Sequence, residues 1–286
     1  MKKILALFIA SISIICAQAQ IPKEKTLLWE ISGNKIQGTS YLFGTMHLMC
    51  ADQLKIDEVI AAKFKESKQL FLEIDMSNPS MMMNAIKLMM MPKGESIEKY
   101  VGKELYDSMN KIYKSKAGMP LQAMGNVKPM LLMSAIFPAL LNCKVEGWEM
   151  KFQELAKKQN ISIKGLETIE YQMSIFDTIP YSVQANMLKE TLFNLDSSRQ
   201  SIHELMKKYL EKDIDKLYKT ITQDAQYGSY EALMLNNRNA NWIGVMKKAM
   251  EQMPTFFAVG AAHLGGKFGV IHLLRKKGYT VKPVLY

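Results

Sequence analysis

Two segments near opposite ends of the chain follow one plan, and that repetition constrains the fold more than any other feature. Tyr41-Leu42-Phe43-Gly44-Thr45-Met46-His47 and Phe256-Phe257-Ala258-Val259-Gly260-Ala261-Ala262-His263 each run a short apolar stretch into Gly-x-x-His. An apolar run of this length, bounded by glycine, reads as a buried strand. Gly44 and Gly260 let the chain turn sharply and let a ligand approach the backbone closely. The chain has only four histidines, and two of them, His47 and His263, fall at matching positions. His203 and His272 lie within helical patterns and read as structural.

Other strand-like runs are 27–31, which forms a hairpin with 39–43 across Gly33-Asn34-Lys35, then 69–75, 161–167 and 280–285. Helical periodicity covers 53–66, most of 77–141, 148–159, a long stretch over 169–253, and 265–277. Strands therefore sit at both ends and bracket a helical middle. The expected fold is α/β, with α+β as the alternative: a central mixed β-sheet carrying the Gly-x-x-His turns at strand ends, and a large helical insertion or cap.

Two more strands end in carboxylates, Leu72-Glu73-Ile74-Asp75 and Gly165-Leu166-Glu167-Thr168. If these strands are neighbours, His47, Glu73, Glu167 and His263 converge on one edge of the sheet, where α/β folds place reactive groups. Two imidazoles and one or two carboxylates suit Zn²⁺, Mn²⁺ or Co²⁺, with an open position to activate water. Without a metal, the same set can do general acid–base chemistry. The chain lacks HExxH, GxSxG and a P-loop, which removes the zincin, hydrolase-elbow and nucleotide readings. Methionine runs 81–83 and 89–91 suggest a soft-metal site or, the preferred reading, a flexible apolar face.

The first nineteen residues carry Lys2-Lys3, an apolar run and Ala17-Gln18-Ala19, the order of a cleavable signal peptide. Residues 20–286 then form a single domain exported to the periplasm or the extracellular space. No later run is apolar enough to span a bilayer, so no stable membrane insertion is expected. The full chain carries a net charge of +10, with 37 basic and 27 acidic residues. The basic residues are dispersed as Lys-Lys pairs without interleaved aromatics, which speaks against nucleic acid. Of the mature cysteines, Cys50 and Cys143 are expected to form a disulfide in an exported chain; two separate buried thiols are the alternative.

Taken together, these segments resemble the TraB/GumN family, which includes the Tiki proteins. Gly44-Thr45-Met46-His47 is similar to its first Gly-x-x-His, Glu73 to its acidic strand, and Gly165-Leu166-Glu167-Thr168 with Gln172 to its central signature. Asn237-Arg238-Asn239 with Trp242 resembles its Arg-Asn segment, and Val259–Leu264 its second Gly-x-x-His block. Ala262 stands where members usually have glycine, a departure that would stiffen the loop. Tiki members are described as Mn²⁺/Co²⁺-dependent proteases acting on extracellular Wnt proteins. The resemblance implies a metal-dependent hydrolase, a peptidase, with His47, Glu73 and His263 as metal ligands. It further implies Glu167 as fourth ligand or general base, Arg238 as oxyanion stabiliser, and Gln172 and Asn237 as further site residues. Its partner would be a peptide or protein substrate. The competing expectation is a non-catalytic protein that binds a peptide or haem in the same cleft.

Overall fold

Residues in the core strands alternate between two apolar faces, which is what a sheet covered on both sides requires. In the computed structural model, Tyr41, Phe43, Leu70, Leu72, Phe256 and Ala258 pack into one core, while Leu42, Phe71, Phe257 and Val259 pack into another on the opposite face. The structure describes residues 25–286 apart from 76–78, 125 and 225–227, and of 79–82 the backbone only. The expected signal peptide therefore lies outside the described residues.

The strands are β1 (Leu28–Ser32), β2 (Ser40–Thr45), β3 (Met49–Cys50), β4 (Gln69–Leu72), β5 (Val145–Glu146), β6 (Ser162–Gly165), β7 (Thr255–Gly260) and β8 (Thr280–Val284). Six form a mixed sheet in the order β6-β4-β7-β2-β1-β8. β6, β4, β7 and β2 run parallel, and β1 and β8 close the edge antiparallel. The fold is thus mixed α/β, with helices inserted between β4 and β6 and between β6 and β7.

Helices Glu58–Glu66 and Trp148–Gln159 cover the first face, burying Ile60 and Phe64, and Trp148, Phe152 and Ala156. Asp57 caps the former by accepting from Val59 N–H at 2.8 Å, and Asn160 in the left-handed region ends the latter. The second face carries helices Asn237–Gln252 and Val270–Lys276. Arg238, Trp242, Met246 and Met250 recur at four-residue spacing, so one stripe of the long helix faces inward. Gln252 is followed almost at once by β7, so the other end of the helix, with Arg238, lies over the strands' C-terminal edge. A separate helical lobe around Lys103–Ala117 and Tyr181–Phe193 has its own core, including Met109, Tyr113, Ile136 and Leu188.

The stretch 169–253 is not one helix. It breaks into Ile169–Thr178, Tyr181–Phe193, Leu195–Leu210, Ile214–Thr222 and Asn237–Gln252. Pro180 forces one boundary and the side chain of Asp213 caps another. β3 and β5 make a two-residue ladder beside Cys50 and Cys143, which are bonded to each other in the structure with Cα atoms 5.7 Å apart.

Candidate functional site

The parallel strands β6, β4, β7 and β2 deliver Glu167, Glu73, His263 and His47 to the same edge. Two backbone bonds extend the β4–β6 ladder past its last paired residues: Leu166 N–H to Leu72 O, and Glu167 N–H to Glu73 O at 2.9 Å. That extension sets the two carboxylates side by side. Glu73 is the hub. Its Oε1 accepts from Gly260 N–H at 2.8 Å and lies 3.8 Å from His47 Nε2 and 3.7 Å from His263 Nε2. Its Oε2 accepts from Arg238 Nη2 at 2.5 Å and from Gln172 Nε2 at 3.3 Å. A Cβ on Gly260 would stand 3.2 Å from Glu73 Oε1 and 3.6 Å from His47 Nε2, so bare backbone is needed in this crook. The two Gly-x-x-His turns also touch each other, since a Cβ on Gly44 would meet Ala261 at 3.0 Å. Tyr209 donates to Gly44 O at 2.8 Å, fixing that turn from the helical side.

Each imidazole has its own orienting acceptor. His47 Nδ1 lies 2.8 Å from Glu149 Oε1, which also accepts from Thr45 Oγ1 at 2.6 Å. His263 Nδ1 lies 2.6 Å from Asn239 Oδ1. Both contacts place the ring proton on Nδ1 of the neutral ring and leave Nε2 as the lone-pair nitrogen facing Glu73. Trp242 packs against the His263 ring at 4.4 Å between centroids.

Arg238 ties the second carboxylate in. Nε donates to Glu167 at 3.0 Å, Nη2 donates to Glu73 and to Glu167 Oε1 at 2.6 Å, and Nη1 donates to Met234 O at 3.1 Å and faces His263 Nε2 at 3.2 Å. All five N–H groups are engaged. Met234 belongs to a π-helical turn, Ala232–Asn236, a distortion often found beside functional sites. Glu167 also accepts from Trp242 Nε1 at 2.9 Å and Gln172 Nε2 at 3.1 Å. Asn237 is exposed on its helix, whereas Arg238 and Asn239 are buried.

Burial alone would raise the Glu73 carboxyl, but the charges of Arg238, His263 and His47 and the Gly260 N–H hold it well below the usual range. Burial pushes His263 down to about 3, with the Arg238 and His47 charges adding to it against Glu73, so this ring is neutral. At His47, desolvation lowers the value, yet the Glu149 hydrogen bond and the charges of Glu149 and Glu73 push it up to about 9 against Arg238. The His47 side chain is 62 % exposed, so water screens part of that rise. Burial raises Glu149, but the hydrogen bond and charge of His47 and the Thr45 hydroxyl outweigh it and lower the carboxyl.

The donor set suits a divalent cation in kind: two imidazole Nε2 atoms and a carboxylate. It suits one in charge as well. Three carboxylates (Glu73, Glu149, Glu167) against one guanidinium leave a net −1 with His47 protonated and −2 once both imidazoles are neutral, as ligation requires. It differs from a closed cage in spacing: among the described residues, no group of three or more His, Cys, Asp or Glu stands at metal-holding distances. The lone pair of His263 Nε2, moreover, is the one that faces Arg238.

Sequence reasoning missed Glu149 and the orienting role of Asn239. Glu149 is brought in by tertiary packing, because a Cβ on Gly147 would lie 2.3 Å from His47 O, and only glycine lets the His47 loop settle there. The methionines near the imidazoles are Met46 and Met234, outside the two methionine runs; Met83, Met89 and Met90 are exposed and Met91 is buried.

No described helix is long and apolar enough to cross a membrane. Metalloprotease TIKI2 of Danio rerio is 21% identical over 317 aligned positions, covering 90% of this chain and 60% of its own length. Metalloprotease TIKI1 of the same species is 22% identical over 315 positions, covering 90% of this chain and 63% of its own length. The chain thus spans about three-fifths of the length of these relatives. No solved structure matches it. The sequence profile of the TraB/PrgY/gumN family matches residues 27–283, a span that includes both Gly-x-x-His turns, both buried carboxylates and Arg238, and the chain belongs to that family.

Proposed function

We propose that this chain is an exported, metal-dependent hydrolase of peptide bonds centred on His47, Glu73 and His263. The observation that carries the reading is the approach of two separately oriented imidazole nitrogens to one oxygen of a buried, ionised carboxylate. Kinship with proteins named metalloproteases, at 21–22% identity, supports it.

On this reading His47 Nε2, His263 Nε2 and Glu73 hold a divalent Mn, Co or Zn ion. When bound, such an ion supplies Lewis acidity and lowers the pKa of a water. Glu149 and Asn239 keep the Nδ1 protons in place and so fix both rings. Glu167, already accepting from Arg238, Gln172 and Trp242, serves as the counter-charge that holds Arg238. Arg238 keeps Glu73 ionised. Once His263 Nε2 is committed elsewhere, the Arg238 Nη1–H is free to meet a substrate carbonyl oxygen, which is the oxyanion-stabilising role.

Purified wild type and the His47→Ala/His263→Ala double variant, each reloaded with Mn²⁺, Co²⁺ or Zn²⁺, test the reading. Wild type is expected to keep near-stoichiometric metal. The folded double variant is expected to keep none and to lose peptide hydrolysis by roughly 100-fold or more, beyond what an orienting residue costs. Equal metal in both proteins, by elemental analysis, would sink the proposal. It would favour the second reading, a non-catalytic peptide- or haem-binding protein. One observation already points that way: Arg238 satisfies the site without a cation.

Export is part of the proposal, together with oxidation of Cys50 and Cys143 in the compartment reached. N-terminal sequencing of the protein recovered outside the cytoplasm is expected to begin at Gln20. An intact Met1 on all of the material, retained inside, would contradict export.

A further inference from the structure

We infer that the cleft beside the imidazoles is a side-chain pocket selecting a bulky apolar residue of an extended peptide. The inference deepens the hydrolase reading and takes its centre as the pocket floor.

The cleft has a volume of about 420 Å³, at the small end of ligand sites and about right for one large side chain and its flanking backbone. His47, His263 and Arg238 lie at its base. Its walls come from segments far apart in sequence and are apolar in nearly every case: Met46, Phe137, Leu205, Leu217, Ile221 and Met234. Most of these side chains are only half-buried, so their apolar surface faces the opening.

The polar groups at the rim sharpen the selection. Ser134 and Thr222 donate their hydroxyls to Leu131 O at 2.7 Å and Tyr218 O at 2.9 Å, which leaves the two hydroxyl oxygens to accept from a peptide N–H. Glu231 is the carboxylate of the wall, and its Oε1 already accepts from Tyr218 at 2.5 Å and Asn236 at 3.1 Å. An acidic side chain entering the pocket would meet Glu231, a like charge, among walls that otherwise offer its carboxylate only apolar carbon. A lysine would find in Glu231 a carboxylate whose Oε1 is already taken by Tyr218 and Asn236, and would leave most of its ammonium against apolar walls or the Arg238 charge, a desolvation with little return. Phenylalanine, leucine and methionine meet neither penalty and cover the walls.

The probes are four peptides, acetyl-Ala-Ala-X-Ala-Ala-amide with X = Phe, Leu, Asp or Lys. Binding to the full mature chain is measured first with excess chelator and then as turnover after reloading with Mn²⁺, Co²⁺ or Zn²⁺. The Phe and Leu peptides are expected to bind on the order of 10–100-fold more tightly than Asp or Lys, the range one pocket can discriminate. Leu205→Glu and Ile221→Lys come from different helices and carry opposite charges; each, shown folded by its thermal melt, is expected to erase most of that preference. Equal binding of all four peptides, or an unchanged preference in both folded variants, overturns the inference. Preference with chelator but no turnover on reloading upholds the pocket and removes the hydrolase reading. Turnover without side-chain preference does the reverse.

Discussion

Arg238→Ala is expected to destabilise the folded chain by about 3–5 kcal/mol, the cost of stranding buried charge without its partner. The Arg238 side chain is 7 % exposed, and the Glu73 and Glu167 side chains are 7 % and 4 % exposed. Water reaches the two carboxylates only from the cleft side, so it replaces the guanidinium in part and leaves them facing each other. Urea unfolding of wild type and variant measures the loss. A control separates charge from packing: adding Glu167→Gln to Arg238→Ala is expected to recover at least about 1 kcal/mol, because one stranded charge is removed. A loss below about 1 kcal/mol for the single variant would class the cluster with solvent-screened surface pairs and defeat this account.

The second large effect lies away from the charges. Phe152→Ala is expected to cost about 3–5 kcal/mol by leaving a cavity in a packed core. Phe152 is fully buried, with ring centroids 4.9 Å from Phe256, 5.2 Å from Phe43, 5.6 Å from Trp148 and 5.7 Å from Phe64. It anchors the helix whose first turn presents Glu149 to His47. Thermal melts are expected to fall by roughly 2–4 °C per kcal/mol lost, while Phe152→Leu, which keeps most of the volume, is expected to cost under about 1.5 kcal/mol. Equal melting of the alanine variant and wild type would show that the aromatic cluster is not what holds this helix.

Much of this architecture is legible in the chain because its strands are buried on both faces and read as unbroken apolar runs ending in glycine or a carboxylate. Strand order is not legible that way. Nothing local says that β4 lies between β6 and β7, yet that order is what sets Glu73 between Glu167 and the His263 turn. Boundaries moved where a nearby group outweighed periodicity. The run expected over 265–277 becomes helical only at Val270, because Gly266 sits at φ +77° and a Cβ on Gly269 would lie 2.2 Å from Gly265 O. The expected strand 69–75 stops at Leu72, where Glu73 turns its side chain to Gly260 N–H. Arg238 was legible only through family likeness, since an arginine on an apolar stripe carries no local signature of five satisfied donors. Glu149 had no signal at all, for its partner lies 102 residues earlier.

The placement of β7 between β4 and β2 also has a consequence for how the protein is made. The sheet joins segments up to 215 residues apart at this point, as in the bond from Thr255 N–H to Ser40 Oγ. A chain threaded from its N-terminus cannot close that gap until residues 255–260 arrive. Until then β2 and β4 each present an unpaired parallel edge, and the loop to be closed is long, which slows folding. An interrupted chain would carry Tyr41-Leu42-Phe43 and Leu70-Phe71-Leu72 as sticky open edges prone to cross-pairing with other copies. The late-arriving strand is thus also the cap that keeps newly made chains from aggregating, and the histidine it brings completes the cluster in the same event.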